Sequence, residues 1–438
     1  MRFFIKKLGC PKNDVDGDYI AGKLIDEGHQ LAGEGTDADV VIVNTCGFIL
    51  PAKEESIAEI LHYENLKRKK KIKRLYVTGC LSQRYGDQLL KDIKAVDGVF
   101  GLGQLDALAK AMSQSDRPQI SAVDSPNNLD YLSGERRYVD HAYPYEYLKI
   151  SEGCDRYCSY CTIPFIRGKY RSRPLDDIIK EARFLAREGK KEIILVSQEG
   201  TGYGRDFNDG SDIIKLLSTL QDIDGVEWIR LMYLHPEAMT DGLIDFMSNS
   251  AKVLNYFDIP LQHINDRILT EMNRQINRDR IEEILNRIRA ASSLNIIRTS
   301  LIVGLPGETD EEYAELLDFV DEFEFDRLGV FKYSQEEGTR AANFDGQVPE
   351  EVKDERMDEL MSLQQEIAFR KNIDLIGSFQ KVIIDKIEDR TIAFGRTRGD
   401  CPDIDQNVII KEENVQVGDI LNAKIIMAEG YDLIASIR

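Results

Sequence analysis

The sequence predicts an α/β protein in three parts. These are an N-terminal doubly wound parallel sheet, a central partial (β/α)6 barrel and a small C-terminal antiparallel β-barrel. Three patterns carry the prediction. Over residues 2–96 short apolar runs alternate with helical stretches, as a parallel sheet requires. Over residues 147–332 six more strand signals recur with helices between them. Beyond residue 374 the helical period gives way to five short alternating runs separated by turn residues, the pattern of a small barrel. With 438 residues the chain has room for about three domains. The expected divisions are 1–122, a linker at 123–140, 141–373 and 374–438.

In the first part, residues 2–8 read as a strand that stops at Gly9-Cys10. A helix over 14–27 is closed by Gly28. The nearly all-apolar strand 39–44 runs into Thr45-Cys46-Gly47, and a helix follows over 52–71. A third strand, 75–79, stops at Cys80, before a helix over 85–96. Cys10, Cys46 and Cys80 therefore each stand just past a strand. In an open α/β sheet those strand ends share one rim, where ligands bind. Three distant cysteines are thus predicted to be neighbours, forming a three-thiolate site with room for an outside ligand. Buried structural cysteines are the plainer alternative.

The barrel strands are expected at 147–151, 192–197, 228–233, 256–259, 296–303 and 327–332. Helices fall between them at 174–188, 211–222, 239–248, 277–293 and 309–323. Six units are too few to close an eight-stranded barrel, and barrel chemistry sits at the C-terminal strand ends. Just past the first strand stand Cys154, Cys158 and Cys161, in a C-x₃-C-x₂-C array. Structural zinc normally takes four protein ligands, and a 4Fe–4S cube is normally held by four thiolates. Three thiolates on one loop leave a coordination position open. A long amphipathic helix over 350–373 precedes the last part, whose strands are expected at 380–384, 391–394, 407–410, 420–426 and 431–435.

Composition is that of an ordinary soluble protein, with 42% hydrophobic and 31% charged residues. No run approaches the ~18 apolar residues of a membrane span, and the first residues do not read as a leader peptide. A cytoplasmic, membrane-free protein is expected, and its seven cysteines are then not a disulfide framework. The net charge of −20 suits a basic protein partner better than a nucleic acid backbone. A basic run at 67–74 reads as a solvated helix end. Residues 374–438 hold eight Lys and Arg against twelve Asp and Glu, which is acidic for a barrel that grips RNA.

The array Cys154-x₃-Cys158-x₂-Cys161 resembles the signature of the radical S-adenosylmethionine (SAM) superfamily. The resemblance implies a 4Fe–4S cluster on these three cysteines, with SAM on its open iron. It also implies cleavage of SAM to a 5′-deoxyadenosyl radical. Lys7–Asp16, Asn44–Ile49 and Thr78–Arg84 resemble the N-terminal domain of the methylthiotransferases within that superfamily. For Cys10, Cys46 and Cys80 this implies a second 4Fe–4S cluster that carries or delivers sulfur. By the same resemblance Tyr160 lies against adenine and Gln262, within Ile259–His263, belongs to a segment near the SAM pocket; Glu199, in the glycine-rich stretch Ser197–Gly204 after the second strand, is a candidate to pair with the SAM ammonium, a plain surface loop being the alternative there. Gly395–Asp405 resembles the TRAM domain, an appended substrate-recognition barrel.

Lys7-Leu-Gly-Cys-Pro-Lys-Asn13, Tyr256–His263 and Gly329–Gly338 resemble the branch that modifies protein twelve of the small ribosomal subunit. That branch implies methylthio transfer to the β-carbon of an aspartate, on the free protein or in the ribosome, with separate electron and sulfur donors. The sister branch, acting on a tRNA adenosine, is the alternative. A non-catalytic iron–sulfur RNA-binding protein is a further one. His235 and His263 stand at strand ends, where a lone histidine is more often structural. Cys401 is expected not to be a ligand.

Overall fold

A computed structural model describes residues 1–114, 119–128 and 137–437. Its first sheet comprises β1 (Arg2–Lys7), β2 (Gln30–Leu31), β3 (Val40–Thr45), β4 (Arg74–Gly79), β5 (Gly98–Phe100) and β6 (Ile120–Ala122). All neighbours are parallel, in the order β2-β1-β3-β4-β5-β6. Successive side chains of a strand face opposite ways. Val40 and Ile42 accordingly join Ile20 and Leu24 of α1 (Pro11–Asp26) on one face, with Leu108 and Met112 of α4 (Leu105–Met112). Val41 and Val43 face the other side, against Ile60 and Leu66 of α2 (Leu50–Arg68) and Leu89 of α3 (Cys80–Asp92). The sheet is doubly wound, as expected. Its three additional strands are only two or three residues long, too short to carry an alternation signal. The basic run spans the last turn of α2, the turn after it and the first residue of β4: Lys67 pairs with Asp97, Arg68 with Glu64 and Lys73 with Asp39.

The central part begins with β7 (Tyr145–Lys149), β8 (Ser151–Glu152), α5 (Ile163–Arg167), β9 (Arg171–Ser172) and α6 (Leu175–Arg187). It continues with β10 (Glu192–Val196), α7 (Ile213–Gln221), β11 (Trp228–Leu231), α8 (Asp241–Asn249), β12 (Tyr256–Asp258), α9 (Asp266–Glu271) and α10 (Arg278–Ala291). It closes with β13 (Ile296–Val303), α11 (Asp310–Phe323), β14 (Arg327–Lys332) and α12 (Glu350–Asp374). Asp212, Thr240, Asn265, Asn277 and Thr309 start their helices by accepting from backbone N–H groups, as N-caps do. The six long strands form two parallel arcs, β7-β10-β11 and β12-β13-β14. Between the arcs the pairing thins to an isolated bridge from Ile229 to Val253 and a Leu234 N–H that donates to the Asp258 carbonyl at 2.8 Å. The result is the expected open barrel. The two-stranded ribbon β8–β9 lies outside it.

The last part is a closed barrel of β15 (Phe379–Ile387), β16 (Ala393–Thr397), β17 (Val408–Ile410), β18 (Ile420–Glu429) and β19 (Asp432–Ser436). All pairs are antiparallel except β17 with β19. This barrel seals the N-terminal ends of the central strands. Arg396 pairs with Glu192 at 2.8 Å, Asp400 takes Arg327 Nε at 2.9 Å, and Asp405 accepts from the Tyr256 hydroxyl at 2.6 Å. Glu192, Tyr256 and Arg327 are the first residues of β10, β12 and β14. Cys401 is buried in the same interface, with no other cysteine in its core cluster.

One apolar cluster joins all three parts. Val15 and Tyr19 of α1 meet Tyr147, Ile194 and Trp228 of the central strands and Ile383 of the small barrel. Within the expected linker, residues 129–136 lie outside the described residues. The next residue, Arg137, is 3% exposed and bonds Asp18 at 2.9 Å, Glu146 at 2.7 Å and Glu181 at 3.2 Å. Among the described residues, no helix is long and apolar enough to cross a membrane.

Candidate functional site

The first three cysteines stand where β1, β3 and β4 end. Cys10 is the N-cap of α1, and Cys80 is the first residue of α3. Sequence periodicity placed the start of that helix at residue 85. The structure starts it at Cys80, because Gly79 at φ +94° turns the chain sharply out of β4. Tyr85, at φ −132°, is a kink inside it. Cys46 is held in its loop by Ser56, whose hydroxyl accepts from the Cys46 N–H at 3.0 Å and donates to its carbonyl at 2.9 Å. The loops touch so closely that two glycines are obligatory. A Cβ at position 9 would lie 2.7 Å from Cys46 Cβ, and one at position 47 would lie 2.7 Å from the Leu81 nitrogen. Asn13 stitches the group together, donating to Leu8 and Thr45 carbonyls at 3.0 and 2.8 Å. Helix N-termini favour thiolates. Burial nonetheless pushes Cys80 up to about 12, with Arg167 opposing and Cys46 and Cys10 adding to the rise. Burial also raises Cys46. These thiols feel one another, as the strand-end argument requires.

The second triplet lies on the loop between β8 and α5. The Cys154 N–H donates to Gly168 at 3.1 Å, and the Cys161 N–H donates to Cys158 at 3.0 Å. Burial, with Glu199 and Cys158 adding, pushes Cys154 up to about 12 against the N–H of Arg156. Burial and then Cys158 raise Cys161. Tyr160 packs against Ile268, Met272 and Tyr333. Among the described residues, no group of three His, Cys, Asp or Glu side chains is arranged to chelate a single metal ion. The donors are soft thiols in two sets of three, a chemistry suited to iron–sulfur clusters.

The two triplets share one mouth. Arg167, the last residue of α5, reaches back to the first triplet. Its Nη2 lies 3.4 Å from Cys80 Sγ and 2.7 Å from Asn13 Oδ1, while Nη1 bonds Glu152 at 2.8 Å. Lys12 lies 3.5 Å above the Tyr233 ring and donates to Ser197 at 3.3 Å, at the ends of β11 and β10. Glu336 binds Lys53 at 2.7 Å and Arg84 at 2.9 Å, clamping the first sheet's rim onto the segment after β14. Among the described residues, four of the eight non-glycine residues with positive φ sit around this mouth: Tyr157, Tyr233, Gln262 and Asn273. Strained backbone of this kind concentrates at functional sites.

Glu199 follows β10, as expected, and is 1% exposed. Its carboxylate is already engaged, by Arg156 on one oxygen and by Arg205 at 2.8 Å on the other. Gln262 has φ +73°, and its backbone bonds Ser300 and Ile302, both at 2.8 Å, leaving the half-buried side chain at the end of β12. His263 is a satisfied core residue, with Nε2 3.1 Å from Glu308 and Nδ1 accepting from Asn265 at 3.0 Å. His235 is different: it is buried, and among the described residues neither ring nitrogen has a partner. Arg156, Arg167, Lys12 and Tyr233 were not singled out from sequence. Arg156 carried the one available signal, since it stands inside the cysteine array.

Comparison with known proteins agrees with this architecture. The radical SAM superfamily profile matches residues 148–320, the uncharacterized family UPF0004 matches 2–101, and the TRAM domain matches 376–437. Similar curated proteins include the ribosomal protein uS12 methylthiotransferase RimO of Acetivibrio thermocellus, 42% identical over 99% of this chain and 97% of that protein. Those of Bdellovibrio bacteriovorus and Geobacter sulfurreducens are 43% and 44% identical, over 98% of this chain and 96% and 97% of theirs. Among solved structures, the radical SAM methyltransferase TsrM from Kitasatospora setae superposes with TM-score 0.57 at 16% identity, covering 76% of this chain and 74% of that one. The cobalamin-dependent SAM radical enzyme OxsB superposes with TM-score 0.51 at 14% identity, covering 83% and 56%. These two share the fold.

Proposed function

The chain belongs to the uS12 methylthiotransferase family of radical SAM enzymes, and we propose that it adds a methylthio group to the β-carbon of an aspartate in that ribosomal protein. The observation that carries this reading is the pair of thiol triplets opening on one mouth, joined through Arg167 and Cys80. Its cofactors are SAM and two 4Fe–4S clusters. In our reading Cys154, Cys158 and Cys161 hold the cluster that binds SAM, and Cys10, Cys46 and Cys80 hold the sulfur-delivering one. When bound, these groups supply radical formation, hydrogen abstraction and sulfur transfer. The chain's own residues supply position and shielding. Tyr160 offers a ring beside Cys158 for adenine. Glu199, fixed between Arg156 and Arg205, and the left-handed Gln262 shape the rest of the SAM pocket. Lys12 lies over Tyr233 at the mouth, between the first triplet and the barrel.

Three units, 1–122, 141–373 and 374–438, serve these tasks, and the separate sheets support that division. A protein substrate is favoured over RNA by the placement of the last barrel. Its Arg396, on β16, is 2% exposed and committed to Glu192 and Asp385, so it offers nothing to a phosphate backbone. The acidic surface suits a basic ribosomal protein. The enzyme works in the cytoplasm, with separate electron and sulfur donors. The test offers reconstituted protein, SAM and reductant a uS12 peptide and, separately, unmodified tRNA. Mass spectrometry is expected to show methylthio addition to the peptide's aspartate. Addition to tRNA alone would overturn the substrate assignment.

A further inference from the structure

Four lysines are buried among the described residues, and three of them have a carboxylate partner. Lys149 pairs with Asp16 at 2.6 Å, Lys353 with Glu350 at 2.6 Å and Lys190 with Glu146 at 3.9 Å. Lys12, 7% exposed, is the exception. Its Nζ donates to the Ser197 carbonyl at 3.3 Å and lies 3.5 Å from the centre of the Tyr233 ring, and among the described residues it forms no ion pair. An ammonium has three N–H donors, and a ring face returns only part of the hydration lost on burial. A buried cation in this state is costly unless an anion completes it. The ring beneath it is firmly held. Tyr233 has φ +61°, its N–H donates to Asp258 at 2.9 Å, and its carbonyl accepts from the Gly200 N–H at 2.8 Å. Backbone strain of that kind is kept where it fixes a functional group.

We propose that Lys12 is the seat of the target aspartate's carboxylate. Lys12 leaves the rim of the first triplet and ends on the rim of the barrel. It stands two residues past Cys10 and one before Asn13, whose Oδ1 lies 2.7 Å from Arg167 Nη2, itself 3.4 Å from Cys80 Sγ. Its ammonium rests on Ser197 and Tyr233, which follow β10 and β11. Under the function proposed above, on which this inference rests, the reacting carbon lies between the sulfur of one triplet and the SAM of the other. That gap is the one Lys12 spans. The β-carbon of an aspartate is bonded directly to its carboxylate carbon, so a carboxylate held by Lys12 fixes the reacting carbon in the gap. A charge-assisted bond to an ammonium also selects aspartate over its neutral amide. The amino-acid end of SAM carries a carboxylate too, but in that reading it is held at the second triplet.

The test compares the wild-type holoenzyme with Lys12→Met and Lys12→Arg. Each is titrated by anaerobic calorimetry with SAM and with two uS12 peptides, one carrying the target aspartate and one an asparagine in its place. Iron per chain and methylthiolated product are measured alongside. Wild type is expected to bind the aspartate peptide about tenfold or more tighter than the asparagine peptide. Lys12→Met should weaken the aspartate peptide by about tenfold or more, leave the asparagine peptide nearly unchanged, and keep wild-type iron and SAM affinity. Lys12→Arg should recover part of the loss. A merely structural lysine would weaken both peptides alike, and that result would overturn the proposal. So would weakened SAM binding with unchanged peptide binding, which would give the seat to SAM. Loss of iron in both variants would also overturn it, by making Lys12 the counter-charge of the first cluster. Failure of the wild type to bind or modify the aspartate peptide would sink the function proposed above and the seat with it. Normal modification by wild type with no loss in Lys12→Met would sink the seat alone.

Discussion

The guanidinium of Arg167 lies 3.4 Å from the sulfur of Cys80, joining residues from opposite sides of the mouth. Arg167 ends the helix that follows the second cysteine triplet, and Cys80 begins a helix of the first sheet. The cation opposes the burial that keeps Cys80 protonated. Arg167→Gln is expected to lose iron selectively from the Cys10, Cys46 and Cys80 site. It should also cost about 3 kcal/mol of stability, because Glu152 and Asp16 lose a buried partner. Iron analysis with Mössbauer spectroscopy and a denaturation curve check both. Unchanged iron would show that the contact is incidental.

Removing a ligand from each triplet should separate their roles. Cys46→Ala and Cys158→Ala should each fall from about eight to about four irons per chain and lose methylthiolation. SAM cleavage should survive in the first and vanish in the second. Full activity in Cys46→Ala would end the two-cluster reading.

Gly47→Ala tests the cradle. The added carbon would lie 2.7 Å from the Leu81 nitrogen and 2.9 Å from the Cys80 carbonyl carbon, with only backbone to give way. An overpacking cost of about 1–3 kcal/mol and poor loading of the first cluster are expected. Wild-type loading and thermal midpoint would contradict this.

Burial, opposed by Lys7 and reinforced by Asp18, Glu146 and Asp403, pushes the Asp14 carboxyl up to about 6. A folded-state value above the unfolded one gives stability that is complete below about pH 4 and lost as pH rises through about 6. Asp14→Asn should therefore stabilise the protein by about 1–2 kcal/mol at about pH 7.5 and by little at about pH 4. Urea titrations at the two pH values measure the gap. An equal gap at both would refute the assignment.

Glu192→Gln removes the carboxylate that Arg230 and Arg396 share beneath the barrel. Two buried guanidiniums would then face each other, at a cost of about 3–5 kcal/mol. Calorimetry should show a lower thermal midpoint with cluster content intact. Loss of clusters instead would mean that the last barrel shapes the mouth directly.

Local signals in the chain were sufficient for the long elements and for naming the two cysteine triplets as candidates. Val40 to Val43 alternate between two cores, so a strand buried on both faces was legible as an apolar run. Cys10, Cys46 and Cys80 could be brought together on paper because parallel strands end on one rim. Cys154, Cys158 and Cys161 needed only their spacing. β2, β5 and β6 escaped because they are too short to show a period.

Tertiary structure alone decided which parts face each other. No local pattern tells Arg167 that it will meet Cys80, or Arg396 that it will meet Glu192, because those pairings arise from packing between distant segments. It also decided that Glu199 would be held by two arginines and that, among the described residues, neither ring nitrogen of His235 would find a partner. Hydrogen bonding and burial depend on what surrounds a side chain in space, whereas spacing and periodicity depend only on the chain itself.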